Sequence, residues 1–195
     1  HLPGHTDANN LHRRDYNVAA QILPNGQEGL TAFSGVFQVG IDLPSGKNLV
    51  GSFWQAALTL TDTRLLDSLP PSEWSGGMAE MIKHSLLDSQ QHFDQICQLQ
   101  PSEFKANPRE AVERSANIKE WHITEDPFEK GVRAHLNFGH TLAHAIETAC
   151  GYQGISHGQA VALGMLAAVR LSKELNLLQT DLEPPLTKVL EQWDL

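Results

Sequence analysis

Two consecutive prolines, Pro70 and Pro71, divide the chain into parts with different sequence patterns. Proline lacks a backbone N–H and restricts the residue before it, so a helix or strand rarely continues through such a pair. Before the prolines the sequence is rich in turn residues, whereas after them nearly every segment has the apolar spacing of a helix. We therefore predict a domain boundary here, with residues 1–70 in one domain and a helical domain over 71–195.

The coarse secondary structure follows from the same patterns. We predict short strands at 18–23 and 56–61, the second of which ends at Asp62. Residues 43–48 are predicted to form a turn that presents Lys47 and Asn48, where Lys47 could bind an anionic group or be an ordinary solvated lysine. Helices are predicted at 63–69, at 72–87 with Ser72 as cap, at 90–99, after Asn107 and Pro108, at 141–150, from His157 to about 175, and from Pro184 onward.

The stretch 136–147 carries the strongest chemical signal. His140 and His144 are four residues apart, so on a helix they project from one face. His157 follows at the start of the next apolar helix, after a Ser156–Gln159 capping-box spacing. Two imidazoles one turn apart and a third from a neighbouring helix suit a metal such as zinc. The alternative is a buried core histidine beside surface ones; for the set as a whole we favour a metal site.

A second group of polar residues lies on the first long helix. Glu80, Lys83 and His84 share one face of a segment that is otherwise apolar. An exposed ion pair three residues apart is the simplest alternative, but such a pair is less natural on a mostly buried helix. The preceding Gly76 and Gly77 each cost the helix about 1 kcal/mol relative to alanine. Their presence predicts close packing or close approach of a ligand.

The overall composition excludes several classes of protein. The 195 residues carry a formal charge of −9 with no basic block, which argues against nucleic-acid binding. Cys97 and Cys150 are isolated and match no disulfide or metal-binding spacing. No stretch reaches the ~20 apolar residues of a membrane span, and no secretion signal is evident at the start. We therefore expect a cytoplasmic protein with no nucleic-acid or membrane partner.

Five short blocks occur in a characteristic order and spacing. They are GKNLVG at 46–51, GGMAEMIK at 76–83, EKGVRAHLNFGHT at 129–141, HAIE at 144–147 and HGQAVA at 157–162. Together, over about 39–178, they resemble the 3-dehydroquinate synthase family of sugar-phosphate cyclases. The resemblance implies a mainly α fold, namely a C-terminal helical metal-binding domain preceded by a short remnant of an α/β domain. It also implies a zinc- or cobalt-dependent lyase that uses NAD in the shikimate pathway.

The resemblance assigns roles to individual residues. It implies a phosphorylated sugar acid as substrate, converted from 3-deoxy-arabino-heptulosonate 7-phosphate to 3-dehydroquinate and phosphate, and in the family commonly a homodimer. His144 would not bind the metal but would act near the phosphate and in proton transfer, which overrules the pairing of His140 with His144 that spacing suggests. The implied metal ligands are Glu80, His140 and His157; the catalytic residues are His144, Lys83 and Glu129; the substrate-binding residues are Lys47, Asn48, Lys119, Arg133 and Asn137.

The sequence also departs from the family pattern. Residues 32–38 lack the carboxylate and the lysine found there in the family, and Gln159 stands where a glutamate is usual. No glycine-rich dinucleotide segment precedes them, so we expect residues 1–70 to be an incomplete NAD-binding domain. The final helices of the family, with another substrate-contacting lysine, have no counterpart in the sequence, so we expect 71–195 to be truncated at its C-terminus. NAD binding by this chain is then doubtful. Three alternatives remain: a zinc- or substrate-binding relic without turnover, a related sugar-phosphate cyclase, and a metal-dependent alcohol dehydrogenase, which Lys83 and Arg133 disfavour.

Overall fold

Antiparallel hairpins make up the described part of the N-terminal unit, His1–Asp62. The structure, a computed structural model, describes residues 16–22, 28–34, 41–43, 46–50, 61–151 and 154–195. Strand β1 (Tyr16–Ile22) pairs with β2 (Glu28–Ser34), and β3 (Ile41–Leu43) pairs with β4 (Gly46–Val50). The strand predicted at 18–23 is confirmed with slightly shifted bounds, and the strand predicted at 56–61 lies outside the described residues.

The turn predicted at 43–48 is wrong at Lys47 and Asn48. Leu43 pairs with Gly46, so only two residues separate β3 from β4. Lys47 and Asn48 therefore belong to strand β4 and not to a turn. The surroundings of their side chains lie outside what the structure describes, and their assignment to the substrate stays a prediction.

The second unit, Thr63–Leu195, is helical, as expected from the pattern after the two prolines. A 3₁₀ helix at Thr63–Ser68 leads into the first α-helix, and a second 3₁₀ helix spans Val132–Asn137. The α-helices are α1 (Pro71–Asp88), α2 (Gln90–Gln98), α3 (Pro101–Ala106), α4 (Arg109–Glu125), α5 (His140–Ala149), α6 (His157–Glu174) and α7 (Glu183–Gln192). Among the described residues, no helix is both long and apolar enough to cross a membrane. The domain boundary after residue 70 stays a prediction.

The core of this unit forms around α1 and α6. Met78 and Ile82 of α1 are fully buried, as are Val161 and Met165 of α6. Phe93 of α2 joins the same cluster, as do apolar residues of α7. The buried residues of α1 and α6 lie next to the polar residues that the sequence singled out. The hydrophobic core thus fixes two of the three helices that carry these polar residues.

Candidate metal centre

Three side chains that are far apart in the sequence meet at one point of the helical unit. Glu80 of α1, His140 of α5 and His157 of α6 each offer one ligand atom, and these atoms lie within 4.8 Å of one another. Oε1 of Glu80 is 3.3 Å from Nε2 of His140 and 3.8 Å from Nε2 of His157. The fold therefore brings together the three residues that the family resemblance assigns to a metal ion.

The chemistry of this group fits a divalent cation. Oε1 of Glu80 is buried and has no hydrogen-bond partner among the residues that the structure describes. The Nδ1 atom of His140 lies 3.2 Å from the carbonyl oxygen of Phe138, which favours the ring proton on Nδ1 and leaves the lone pair on Nε2. A lone pair and a carboxylate oxygen repel each other unless a proton or a metal ion lies between them. Two imidazole nitrogens and one carboxylate oxygen match a catalytic zinc site, which keeps a coordination position open.

Lys83 fixes the other oxygen of the same carboxylate. Its Nζ donates to Oε2 of Glu80 at 2.6 Å, and the lysine side chain is only 4% exposed. The alternative of an exposed ion pair is therefore wrong, because the helix face that carries Lys83 is buried. With Oε2 bound to the ammonium, Oε1 is the oxygen that faces the histidines.

The Glu80 carboxyl is charged in spite of its surroundings. Burial is the largest influence and works against the charge, but His140, when its Nε2 is protonated, and the ammonium of Lys83 outweigh it. Together they hold the pKa of Glu80 well below its usual range. The side chain is thus ionised at neutral pH, as a carboxylate ligand must be.

A close contact between α1 and α6 brings Glu80 within reach of His157. A Cβ atom on Gly158 would collide with Cα of Gly76, so the two helices touch where both residues lack side chains. Gly158 follows His157 directly, and Gly76 lies about one turn before Glu80. The prediction that a glycine pair marks close packing is confirmed for Gly76, whereas a Cβ on Gly77 would meet nothing within 4 Å.

A similar contact holds α5 against α6. A Cβ atom on Gly164 would collide with the carbonyl oxygen of Gly139, the residue that precedes His140. Gly139 itself has a φ of 81°, a left-handed conformation that favours glycine. A side chain there would also lie 2.8 Å from Cγ of Met165. Glycines at these positions let the start of α5 approach α6 closely enough for the two imidazoles to meet.

Further cations lie near the metal group, between α1 and α4. Nδ1 of His84 is 2.6 Å from Oγ of Ser115, which ties the two helices together. Burial lowers the pKa of His84 to about 3, and the ammonium groups of Lys83 and Lys119 add to this effect. Lys119, one turn after Ser115, is therefore on the side of α4 that faces α1. Lys83 is paired with Glu80, so Lys119 is the charge near this helix contact that suits an anionic ligand.

Hydrogen bonds order the segment 126–137, which contains three of the predicted site residues. Asp126 accepts three backbone N–H groups from the loop that follows it. Arg133 is buried, and its Nη1 donates to the carbonyl oxygen of Pro127 at 2.8 Å. Glu129 accepts from Nδ2 of Asn137 at 2.5 Å, and both of these side chains are exposed. The loop places an acid, an amide and a guanidinium just before α5, and their assignment to the substrate stays a prediction.

His144 lies one turn after His140 but does not belong to the metal-competent group. Its ring centroid is 5.7 Å from that of His140, and the residue is exposed. The pairing of these two histidines that spacing suggests is therefore not the arrangement that the fold assembles. Glu80 takes the place of His144, and spacing within one helix could not reveal a ligand from α1.

Comparisons with known proteins agree with this architecture. Residues 34–76 match the family model of the 3-dehydroquinate synthase N-terminal domain, and residues 77–195 match the model of its C-terminal domain. A 3-dehydroquinate synthase from Symbiobacterium thermophilum is 42% identical over 163 residues, which cover 81% of this chain and 45% of the relative. A chloroplastic 3-dehydroquinate synthase from Solanum lycopersicum is 39% identical over 158 residues, which cover 80% and 36% of the two chains.

A solved structure shows the same fold. A 2-deoxy-scyllo-inosose synthase, in complex with carbaglucose-6-phosphate, NAD+ and Co2+, superposes with a TM-score of 0.69 at 29% sequence identity. The match covers 80% of this chain and 44% of that one. The fold is thus that of a sugar-phosphate cyclase. The chain belongs to the 3-dehydroquinate synthase family, and it spans about half the length of the relatives that it matches.

Proposed function

We propose that this chain is the metal- and substrate-binding portion of a 3-dehydroquinate synthase, a lyase of the shikimate pathway. The reaction converts 3-deoxy-arabino-heptulosonate 7-phosphate to 3-dehydroquinate with loss of phosphate. One observation carries the proposal, namely that Glu80, His140 and His157 converge with their ligand atoms within 4.8 Å. Family membership over residues 34–195 supports the choice of reaction.

In this proposal Glu80, His140 and His157 hold a zinc or cobalt ion. When bound, the metal would polarise vicinal hydroxyls of the sugar, and NAD would accept and return a hydride. Lys83 keeps Glu80 ionised and directs Oε1 toward the metal position. The Lys83 side chain is buried and that of Glu80 is partly buried, which reduces solvent screening of their contact and strengthens it.

The surrounding polar residues would bind the anionic ends of the substrate. Phosphate and carboxylate need cations and amide donors, which Lys119, Arg133 and Asn137 supply in this part of the fold. The assignment of Lys47 and Asn48, in strand β4, to the substrate rests on the family resemblance alone. Glu129 is hydrogen-bonded to Asn137 and would orient that amide. His144, exposed beside His140, would move a proton near the departing phosphate.

A second candidate follows from the structural comparison. The solved 2-deoxy-scyllo-inosose synthase was complexed with a sugar-phosphate analogue, carbaglucose-6-phosphate, and shares this fold. A cyclase that acts on a sugar phosphate without a carboxylate is therefore the main alternative. The two candidates differ in whether a cationic group must bind a carboxylate, and Arg133 and Asn137 favour the sugar acid.

Calorimetric titration of the zinc-loaded chain separates the two candidates. We expect 3-deoxy-arabino-heptulosonate 7-phosphate to bind at least about tenfold more tightly than glucose 6-phosphate, because each carboxylate contact by a charged donor contributes on the order of 1.5–3 kcal/mol. Arg133→Met should reduce this preference. The matched control is Arg114→Met, since Arg114 is a surface arginine paired with Asp88. Equal affinities of the two sugar phosphates, or binding that does not depend on zinc, would contradict the proposal.

We also propose that the enzyme is cytoplasmic and forms a homodimer. The exposed Leu163 and Leu171 of α6 leave apolar surface that could be covered by association. Light scattering after gel filtration measures the oligomeric state.

A further inference from the structure

A buried carboxylate contacts His157 on the side of the ring that faces away from Glu80. Glu147 lies in the last turns of α5 and is fully buried, although sequence analysis gave it no role. Its Oε1 lies 3.1 Å from Nδ1 of His157. A buried carboxylate is costly unless it is hydrogen-bonded, and the imidazole of His157 offers Glu147 a hydrogen-bond partner.

The position of His157 between two carboxylates determines which ring nitrogen carries the proton. Nδ1 faces Glu147, while Nε2 lies 3.8 Å from Oε1 of Glu80. At 3.1 Å from Oε1 of Glu147, Nδ1 is within range to donate its N–H to that acceptor oxygen, which favours the ring proton on Nδ1. The lone pair of the neutral ring is then on Nε2, the nitrogen that faces the metal position. The carbonyl oxygen of Phe138 has the same relation to His140.

We infer that Glu147 is a positioning residue for the metal centre, which fixes the orientation and the tautomer of His157. The inference rests on the proposed metal site and deepens it by naming a residue that does not itself bind the ion. A carboxylate behind a histidine ligand raises the basicity of the ring and fixes its orientation, and its loss typically weakens metal binding about 10–100-fold. The 3.1 Å contact with Nδ1 of His157 joins the last turn of α5 to the first residue of α6.

A structural role alone would predict something different. Glu147 could simply fill the interface between α5 and α6, in which case its replacement would lower stability without a specific effect on the metal. The chain offers a matched control for this possibility. Oδ2 of Asp88 lies 2.9 Å from Nδ1 of the buried His92, and this carboxylate–imidazole pair is not part of the metal group. Asp88 is two helical turns beyond Glu80, on the order of 12 Å along α1.

The test compares Glu147→Leu, Glu147→Gln and Asp88→Leu with the unaltered chain. Zinc affinity is measured by competition with a chelator, and the tautomer of each histidine is read from ¹⁵N chemical shifts of the metal-free protein. We expect Glu147→Leu to weaken zinc binding about 10–100-fold and Glu147→Gln, which keeps an acceptor oxygen, to restore most of the loss. Asp88→Leu should leave zinc affinity unchanged even if it lowers the unfolding temperature. His157 should carry its proton on Nδ1 in the unaltered chain and lose that preference in Glu147→Leu.

Unchanged zinc affinity in Glu147→Leu would overturn the inference, as would an equal loss in Asp88→Leu. If Glu147→Leu does not fold, the ¹⁵N spectra of the unaltered chain and of Glu147→Gln still test the inference. A proton on Nε2 of His157 in either protein would contradict the role assigned to Glu147. If the unaltered chain binds no zinc, the proposed function fails. The ¹⁵N spectra of the metal-free chain then show separately whether Glu147 orders the ring of His157.

Discussion

At the scale of single residues, the buried His84 should make stability depend on pH. Its pKa is lowered to about 3, mainly by burial and then by the ammonium of Lys83. In the unfolded chain a histidine titrates near ~6.5, so between these values the unfolded state binds more protons. Stability is therefore fully present above about pH 6.5 and falls as the pH decreases toward 3.

Replacement of His84 by glutamine tests this dependence. Glutamine can retain a hydrogen bond to Ser115 but does not titrate. We expect the unaltered chain to lose more stability than His84→Gln between pH 7 and pH 4, by on the order of a few kcal/mol. Urea unfolding at the two pH values measures the difference. Equal losses in both proteins would show that His84 is accessible to protons in the folded state.

The residue scale also shows what sequence could and could not reveal about the site. The sequence indicated His140 because His144 follows it by four residues on one helix, and His157 because it starts the next apolar helix. Their partner Glu80 is sixty positions before His140, on another helix, and only the family resemblance identified it. Spacing alone selected His144, because residues four apart on one helix always share a face whether or not the fold uses both. Glu147 gave no signal, since a glutamate near the end of a helix is ordinary in sequence.

At the scale of elements, the contact between α1 and α6 should control both stability and metal binding. A Cβ on Gly158 would collide with the backbone at Gly76, and neither backbone can move freely. We expect Gly158→Ala to destabilise the chain by about 1–3 kcal/mol and to weaken zinc binding, because Glu80 and His157 are pushed apart. Urea unfolding and chelator competition measure the two effects.

Gly77→Ala is the matched control for this substitution. Gly77 lies in the same helix as Gly76, but a Cβ there meets nothing within 4 Å. Alanine should therefore stabilise α1 by about 0.5–1 kcal/mol and leave zinc affinity unchanged. If both substitutions had the same effect, the close approach of the two helices would not be what sets the site geometry.

Helix ends were predictable where local chemistry decides them. The helix predicted at 141–150 is α5, His140–Ala149, because Gly139 and Gly151 bound it on both sides. The Ser156–Gln159 capping box is confirmed, with both of its hydrogen bonds present. The Ser72 cap was wrong, since Pro71 is already the first residue of α1 and Pro70 its N-cap. The short helix α3 was missed because a segment of six residues has too few apolar positions to show a period.

At the scale of the whole molecule, the helical class was predictable and the arrangement of the helices was not. The run of helical patterns after Pro71 gave the class, since each segment has one apolar face. Which helices pack against each other depends on close contacts between glycines, such as Gly76 with Gly158. The sequence does not show which glycines form such a pair. Weak or absent NAD binding by this chain remains a prediction.

The central claim is that α1, α5 and α6 together hold one metal ion. It is tested most directly by the zinc content, after dialysis, of the unaltered chain and of Glu80→Ala, His140→Ala and His144→Ala. We predict about one zinc per chain in the unaltered protein and in His144→Ala, and almost none in the other two, because only Glu80 and His140 among these belong to the three-residue group. Loss of zinc from His144→Ala, or its retention by Glu80→Ala, would contradict the account.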